Sequence, residues 1–383
     1  MPTLAVAAIS ARAMAEAAAL DGFDVVALDL FGDVDTRRAA SSWLPIGEPG
    51  SLRIDAAAVL GALGALARQR ASGDPLVGWV AGSGFEGEPD LLERGAAVLP
   101  LIGTAAAAVR RLRDPAVFFG FLAARGMPHP RVSLDPPEDA AGWLMKDAHG
   151  CGGWHVRRPP WRKDEQPYAH RYFQREMQGV PMSATFIANG RDAHVLGFNE
   201  LSVRTFGARP CVFCGAVGPV PLASGIAHRV TAIARALVAE FALQGLCSLD
   251  FMRDGDAIGV LEVNPRPPAS MSLYPRQAGW PGLMQMHLRA CVHGELPQST
   301  PRQVREIEGI EIVFAPRPMR LDEAAARQLD AWPGIHDLPA AGQHFDADDP
   351  LCTLSASGSS ALEVRTRLNQ GRDRLLQSLE TLA

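Results

Sequence analysis

Apolar and polar positions fall into alternating blocks along the first part of the chain. Residues 3–9 are apolar, residues 12–20 place alanines and other apolar side chains at helical spacing, and residues 25–30 are apolar again. The pattern predicts strand, helix, strand, an α/β opening. A second unit follows, with a helix over 55–70, a strand over 76–80 and the turn Gly82-Ser83-Gly84-Phe85-Glu86-Gly87 before another helix. An Ala/Arg-rich helix is expected over 105–113. Asp114-Pro115 then opens a further helix that Gly126 and Pro128 stop, with Pro at a first-turn position where its missing N–H costs little. Pro136-Pro137 and Pro159-Pro160 bracket a strand and loop at 143–157. From 172 to 259 strands alternate with one long helix, 227–243, which Gly245 is expected to close. The last section, from about Pro297, reads as a strand (310–315), a short helix (322–329), a strand (350–356) and a helix (359–379).

Composition narrows the class. A chain of 383 residues is too long for one compact core, and 47% apolar against 21% charged residues is a globular profile. The formal charge of −5 carries no basic excess, so nucleic acid is not expected as a partner. Arg12, Glu16, Asp21 and Asp24 interrupt the apolar start, and no run long enough for a membrane helix or charged leader stands out. Six cysteines, at 151, 211, 214, 247, 291 and 352, are too sparse for a disulfide framework, so a cytoplasmic protein with reduced thiols is expected. Asp29 stands about twenty residues beyond the first turn, where a dinucleotide fold would hold a ribose. That turn reads Ala8-Ile9-Ser10-Ala11 and lacks the glycines a nicotinamide oxidoreductase needs. The turn at Gly82–Gly87 suits an anion or carboxylate, or serves only the torsions glycine permits.

Two constellations carry candidate chemistry. In Cys247 to Arg266, apolar strands flank a turn signal and carry Asp250, Glu262 and Asn264. Charges inside apolar strands are costly without a partner, so they need a cation or a base. Glu262 and Asn264 are two apart and share a face. Asp250 joins that face if the hairpin has an odd loop, for which a three-residue Asp254-Gly255-Asp256 turn is expected, placing the two acids diagonally at roughly 7 Å. The second constellation is Trp143 to Val156, a short apolar strand ending at Lys146 and followed by a loop with Gly150, Gly152 and Gly153. An ammonium and free backbone amides suit nucleotide phosphates. Cys211 and Cys214 have zinc-like spacing but no second ligand pair, and His149, Cys151 and His155 surround the glycine loop.

The order of these pieces, Lys146 and its glycine loop, then 173–183, the long helix, Asp250-Phe251 and Glu262-Val263-Asn264-Pro265-Arg266, resembles the ATP-grasp superfamily over about 110–290. The tail around 351–358 and its following helix is similar to the small C-terminal domain of the biotin carboxylase and purine-biosynthesis branch. The resemblance implies a mixed α/β and α+β architecture: an N-terminal α/β domain (1–107), a two-lobed ATP-grasp domain (108–295) and a small β-rich C-terminal domain (296–383). It also implies ATP with Mg²⁺, or Mn²⁺ in its place. Lys146 would contact the phosphates under the loop of Gly150, Gly152 and Gly153, and Gln174, Arg175 and Glu176 would meet adenine at the hinge. Asp250, Glu262 and Asn264 would ligate metal, and Arg266 would steady an acyl-phosphate. Arg204, on a strand aimed at the cleft, is a candidate for gripping a substrate carboxylate.

This chain departs from the resemblance in two places. Asp114-Pro115 stands where relatives often carry Asp-Lys, which leaves that phosphate contact to Arg113 or Arg111. Val180-Pro181-Met182 stands where an acid often holds the ribose. The reaction implied is activation of a carboxylate as acyl-phosphate and its transfer to an amine, for example with glutamate in coenzyme biosynthesis. An ATP-driven carboxylation with bicarbonate and a catalytically silent nucleotide sensor are the alternatives. Partners are expected to be a small carboxylate and a small amine, with no membrane, and a homodimer is the expected assembly.

Overall fold

The computed structural model describes residues 1–73, 75–161, 170–276, 280–298 and 306–380. The N-terminal unit alternates β1 (Thr3–Ala7), α1 (Arg12–Leu20), β2 (Asp24–Asp29), α2 (Val34–Ala39), β3 (Ser42–Pro45), α3 (Ala56–Ala71), β4 (Leu76–Ala81) and α4 (Pro89–Val98). Its four strands form a parallel sheet in the order β3-β2-β1-β4. β1 is buried along its whole length and β2 nearly so, as strands covered on both faces must be, which is why they read as continuous apolar runs rather than as alternation. Asp55 caps α3 by accepting from the backbone N–H of Ala57 and Ala58.

Helices α5 (Ala106–Leu112) and α6 (Pro115–Ala124) follow. Asp114 caps α6 and Pro115 occupies its first turn, as the sequence predicts. β5 (Val132–Ser133), β6 (Trp143–Asp147) and β7 (Arg171–Arg175) form a small antiparallel sheet in the order β5-β7-β6. β8 (Val180–Asn189), β9 (Ala193–Phe206), β10 (Arg209–Gly218), α7 (Ser224–Phe241), β11 (Gln244–Asp254), β12 (Ala257–Asn264) and α8 (Leu283–His293) come next. The last section holds β13 (Ile307–Phe314), β14 (Met319–Arg320), α9 (Glu323–Ala331), β15 (Ile335–His336), β16 (His344–Phe345), β17 (Pro350–Gly358) and α10 (Ala361–Glu380).

Strands of the middle and last sections share one eight-stranded antiparallel sheet, ordered β12-β11-β8-β9-β10-β13-β17-β15. The junction is β10 with β13, where Val217 pairs with Gly309. The C-terminal strands are therefore hydrogen-bonded into the same sheet as β8–β12. Helix α7 packs Ile226, Val230, Ile233, Leu237 and Phe241 on it, opposite Phe186, Leu249 and Phe251.

The end of α7 differs from the sequence expectation. The helix stops at Phe241, and Ala242 takes the left-handed conformation (φ 51°) in place of a glycine. Gly245 lies inside β11 instead, with φ 82°, and a Cβ there would stand 2.4 Å from the His287 ring on α8. Close approach of a buried imidazole, rather than helix termination, fixes this glycine.

Candidate active site

Asp250 and Glu262 meet as directly opposed residues of the β11–β12 ladder. The connection is shorter than the sequence suggests: Asp254 pairs with Ala257, so Gly255 and Asp256 alone make the turn. Regular pairing from a two-residue turn would set Leu261 opposite Asp250. A bulge between Asp250 and Phe251 absorbs one residue, with Phe251 facing Val260 and Asp250 facing Glu262. The acids are therefore cross-strand partners, closer than the diagonal placement expected. Asn264 sits opposite Ser248, and its Nδ2 donates to Asp250 Oδ2 (3.0 Å) and Ser248 Oγ (3.2 Å). Burial, reinforced by Glu262, pushes Asp250 up to about 7. Two half-buried carboxylates this close call for positive charge.

Part of that charge comes from Arg266 and from Arg113, one of the two substitutes expected for the missing lysine, and both gather on an acid the sequence did not single out. Glu86, in the glycine turn after β4, accepts from its own turn's Gly84 N–H (2.6 Å) and from Arg266 Nε (2.9 Å). The turn does bind a carboxylate, and it is the chain's own. Burial works to raise the Glu86 carboxyl, but Arg266 and Arg113 outweigh it and hold it below its usual range. Arg266 also reaches Asn264 Oδ1 at 3.4 Å. Arg113, at the end of α5, lies 3.7 Å from Glu86 and 3.8 Å from Glu262. It is buried, and its Nε and Nη2 have no hydrogen-bond partner. Arg111, the other substitute considered for the missing lysine, is instead paired on the surface with Glu240 of α7. An acid in a glycine turn looks solvated in sequence, and only its tertiary contacts reveal it.

Lys146 reaches the cluster from the small sheet. It is buried at the end of β6, where desolvation pulls its ammonium down against the attraction of Glu262 and Asp250. The loop beyond it is docked on β10. Phe213 N donates to Gly152 O (3.0 Å), and a Cβ on Gly153 (φ 78°) would lie 1.8 Å from Cys211 O. Trp154 stacks on Phe206 (centroids 5.8 Å) beneath Arg209, which pins the loop to the β9–β10 hairpin. The docking turns Cys151 and His155 inward: burial pushes the Cys151 thiol up to about 12, with Glu86 and Arg266 as charged neighbours. His155 is pulled down by burial, with Glu262 and Lys146 near it. A thiol held up there is protonated at neutral pH and is no nucleophile.

The remaining sequence candidates separate into two groups. Gln174 on β7 is buried with its Nε2 unpartnered, whereas Arg175 donates to Ala141 O (2.6 Å) and Glu176 is paired with Arg158 (2.5 Å). Arg204 is engaged by Glu311 of β13, which also binds Arg372, and among the described residues its ion pair leads to the C-terminal strands rather than to the Asp250–Glu262 cluster. Asp29 is consumed by the N–H groups of Ala11 and Gly32 and by Trp43 Nε1, so its carboxylate is structural.

This arrangement of two sheets gripping a carboxylate pair is the ATP-grasp fold, and residues 115–270 match the ATP-grasp domain model. These residues form an ATP-grasp domain, and the neighbouring sections complete an architecture shared with several solved enzymes. The L-amino acid ligase of Bacillus licheniformis superposes with a TM-score of 0.68 at 16% identity, over 97% of both chains. Biotin carboxylase from Campylobacter jejuni gives 0.69 at 14% identity, covering 99% of this chain and 95% of that one. N5-carboxyaminoimidazole synthase from Aspergillus clavatus, solved with ADP and an aminoimidazole ribonucleotide, gives 0.67 at 15% identity over 97% and 99%. No curated protein matches the chain in sequence.

Proposed function

We propose that this chain is an ATP-dependent ligase that activates a carboxylate as its acyl-phosphate and passes the acyl group to an amine. The observation that carries the reading is Arg113: a buried guanidinium with two unpartnered N–H donors, beside a carboxylate pair and in company with Lys146 and Arg266. Buried donors of this kind want an oxyanion, and three cations around two acids suit a polyphosphate bridged to metal.

Lys146 and Arg113 would bind phosphate oxygens. Arg266, oriented by Glu86, would steady the charge that develops as the phosphoryl group moves to the carboxylate. Asp250, Glu262 and Asn264 offer hard oxygen donors, and the raised Asp250 is what a carboxylate pair lacking its counter-charge should display, so these residues fit Mg²⁺ or Mn²⁺. Such an ion, when bound, supplies Lewis-acid charge between the two anions. Gln174, with its free Nε2, would meet the adenine, and the docked loop from Gly150 to Gly153 would keep water from the acyl-phosphate.

The test is ADP release with Mg-ATP against a panel of carboxylates and amines, with Glu262→Gln run alongside. Turnover that needs both substrates and disappears in the variant supports the ligase. Turnover with bicarbonate alone would point to the carboxylase branch. Mg-ATP binding without turnover would leave a nucleotide sensor, and absence of nucleotide binding would sink the assignment.

A further inference from the structure

A second cluster stands at the same carboxyl edge of the parallel sheet, beyond β1 and β2, where open α/β sheets bind ligands. It gathers Glu16, Asp29, Asp33, Asp35 and Asp337 around one guanidinium, Arg12. Most of these acids are spoken for. Asp337 takes Arg12 Nε (3.0 Å) and Ser10 Oγ (3.3 Å), Glu16 takes Arg12 Nη1 (2.9 Å), and Asp35 takes the backbone N–H of Asp337 and Leu338 (2.8 and 3.0 Å). His336 binds Ser355 Oγ, and burial followed by Arg12 pulls it down, so it adds no cation at neutral pH.

Asp33 is the exception. It is 7% exposed and makes no side-chain cap to α2, and while its backbone carbonyl accepts from Arg37 N–H, its carboxylate has no hydrogen bond or ion pair among the described residues. Burial raises it first, then the neighbouring charges of Asp337, Asp29 and Asp35, with Arg12 opposing. One turn on, Thr36 Oγ1 is also buried with no partner. The cluster adjoins the centre described above: Ile9 N donates to Ser83 O (2.9 Å), and Gly84 packs against Ile9 while donating to Glu86.

We propose that Asp33 and its surroundings are the receptor for an ammonium group of the amine-bearing substrate, an inference that rests on the ligase reading. The charge balance points to a cation, because Glu16, Asp35 and Asp337 already share the single guanidinium of Arg12, and Asp33 beside them can give up its proton to an arriving positive charge. The geometry favours an organic cation over a metal. Donor atoms of Glu16, Asp35 and His336 lie within 4.8 Å of one another, but Arg12 already stands in that trio, 2.9 Å from Glu16 and 3.9 Å from Asp35. A divalent ion would face a fixed positive charge there, whereas an ammonium needs only the one unpaired carboxylate and a hydroxyl such as Thr36.

The experiment is calorimetric titration at pH 7.5 with ethanolamine, putrescine and phenethylamine and their hydroxyl analogues, in two buffers of different ionisation enthalpy. Wild type should bind at least one ammonium compound at least tenfold tighter than its analogue. Burial and the neighbouring acids hold Asp33 up at about 9, so binding should release close to one proton. Asp33→Asn replaces a carboxyl that keeps its proton in the free protein with an amide of similar size and removes no side-chain hydrogen bond, so its circular dichroism should match wild type while ammonium binding falls at least tenfold and proton release disappears. Mg-ATP binding by the variant should stay within twofold. Equal binding by Asp33→Asn, no ammonium compound bound, Asp33-dependent binding of Mn²⁺ instead, or a parallel loss of Mg-ATP binding would each overturn the proposal. Failure of ATP turnover with ammonium binding intact would count against the ligase reading alone.

Discussion

Glu86 has no exposed side-chain surface and lies between two guanidinium groups, so removing it leaves those charges in a medium that cannot solvate them. Glu86→Ala should lower stability by about 3–5 kcal/mol in denaturant titrations. Arg113→Met should raise the KM for ATP roughly 10- to 100-fold, the scale of losing charge-assisted hydrogen bonds, with the substrate titrated at saturating carboxylate and amine. His287 gives a pH signature. Its Nδ1 accepts from Leu246 N–H and its Nε2–H donates to Ile102 O, which requires the neutral ring, and burial pulls it down to about 4. The unfolded chain takes the proton first, so this stability is complete above ~6.5 and is lost as pH falls toward 4, by up to ~3 kcal/mol. Stability curves between those pH values should flatten in His287→Gln. Among single residues, Lys146, Asp250, Glu262, Asn264 and Arg266 stood out in the sequence because charge inside apolar strands has few explanations. Glu86 and Asp33 did not, since a carboxylate in a turn gains meaning only from what lies opposite, and Arg113 was legible only as one of two stand-ins for a missing lysine.

Helices and strands were mostly legible, with Asp114-Pro115 as a helix start and apolar runs as strands. The irregularities were not. The Leu261 bulge and the left-handed Ala242 arise from pairing and packing that no local pattern encodes, and each determines where a functional or buried group points. The glycine loop behaves likewise: its glycines suggested phosphate contact, and the structure adds that Gly153 permits docking on β10. Gly153→Ala should leave the melting temperature within a few degrees, because the loop lies outside the main cores. It should also raise the KM for ATP at least tenfold and speed proteolysis between residues 148 and 156. Unchanged proteolysis would show that the loop holds its place by Trp154 alone.

Across the whole molecule, three sections contribute to one centre: Glu86 from the first sheet, Lys146 from the small sheet, and Asp250, Glu262 and Asn264 from the large one. The sequence conveyed the order of these sections but not that the last of them completes the large sheet. Truncation after residue 298 would strip β13 from β10 and expose the strand edge at Gly215–Gly218, so the shortened chain should aggregate on expression, as size-exclusion chromatography would reveal. The same pairing sets a timetable for synthesis. Val217 finds its partner Gly309 only after about ninety further residues have been made. At usual elongation rates that is an interval of roughly 5–20 s during which β10 is a bare template. The nascent chain therefore carries that edge open to mispairing until the final strands emerge.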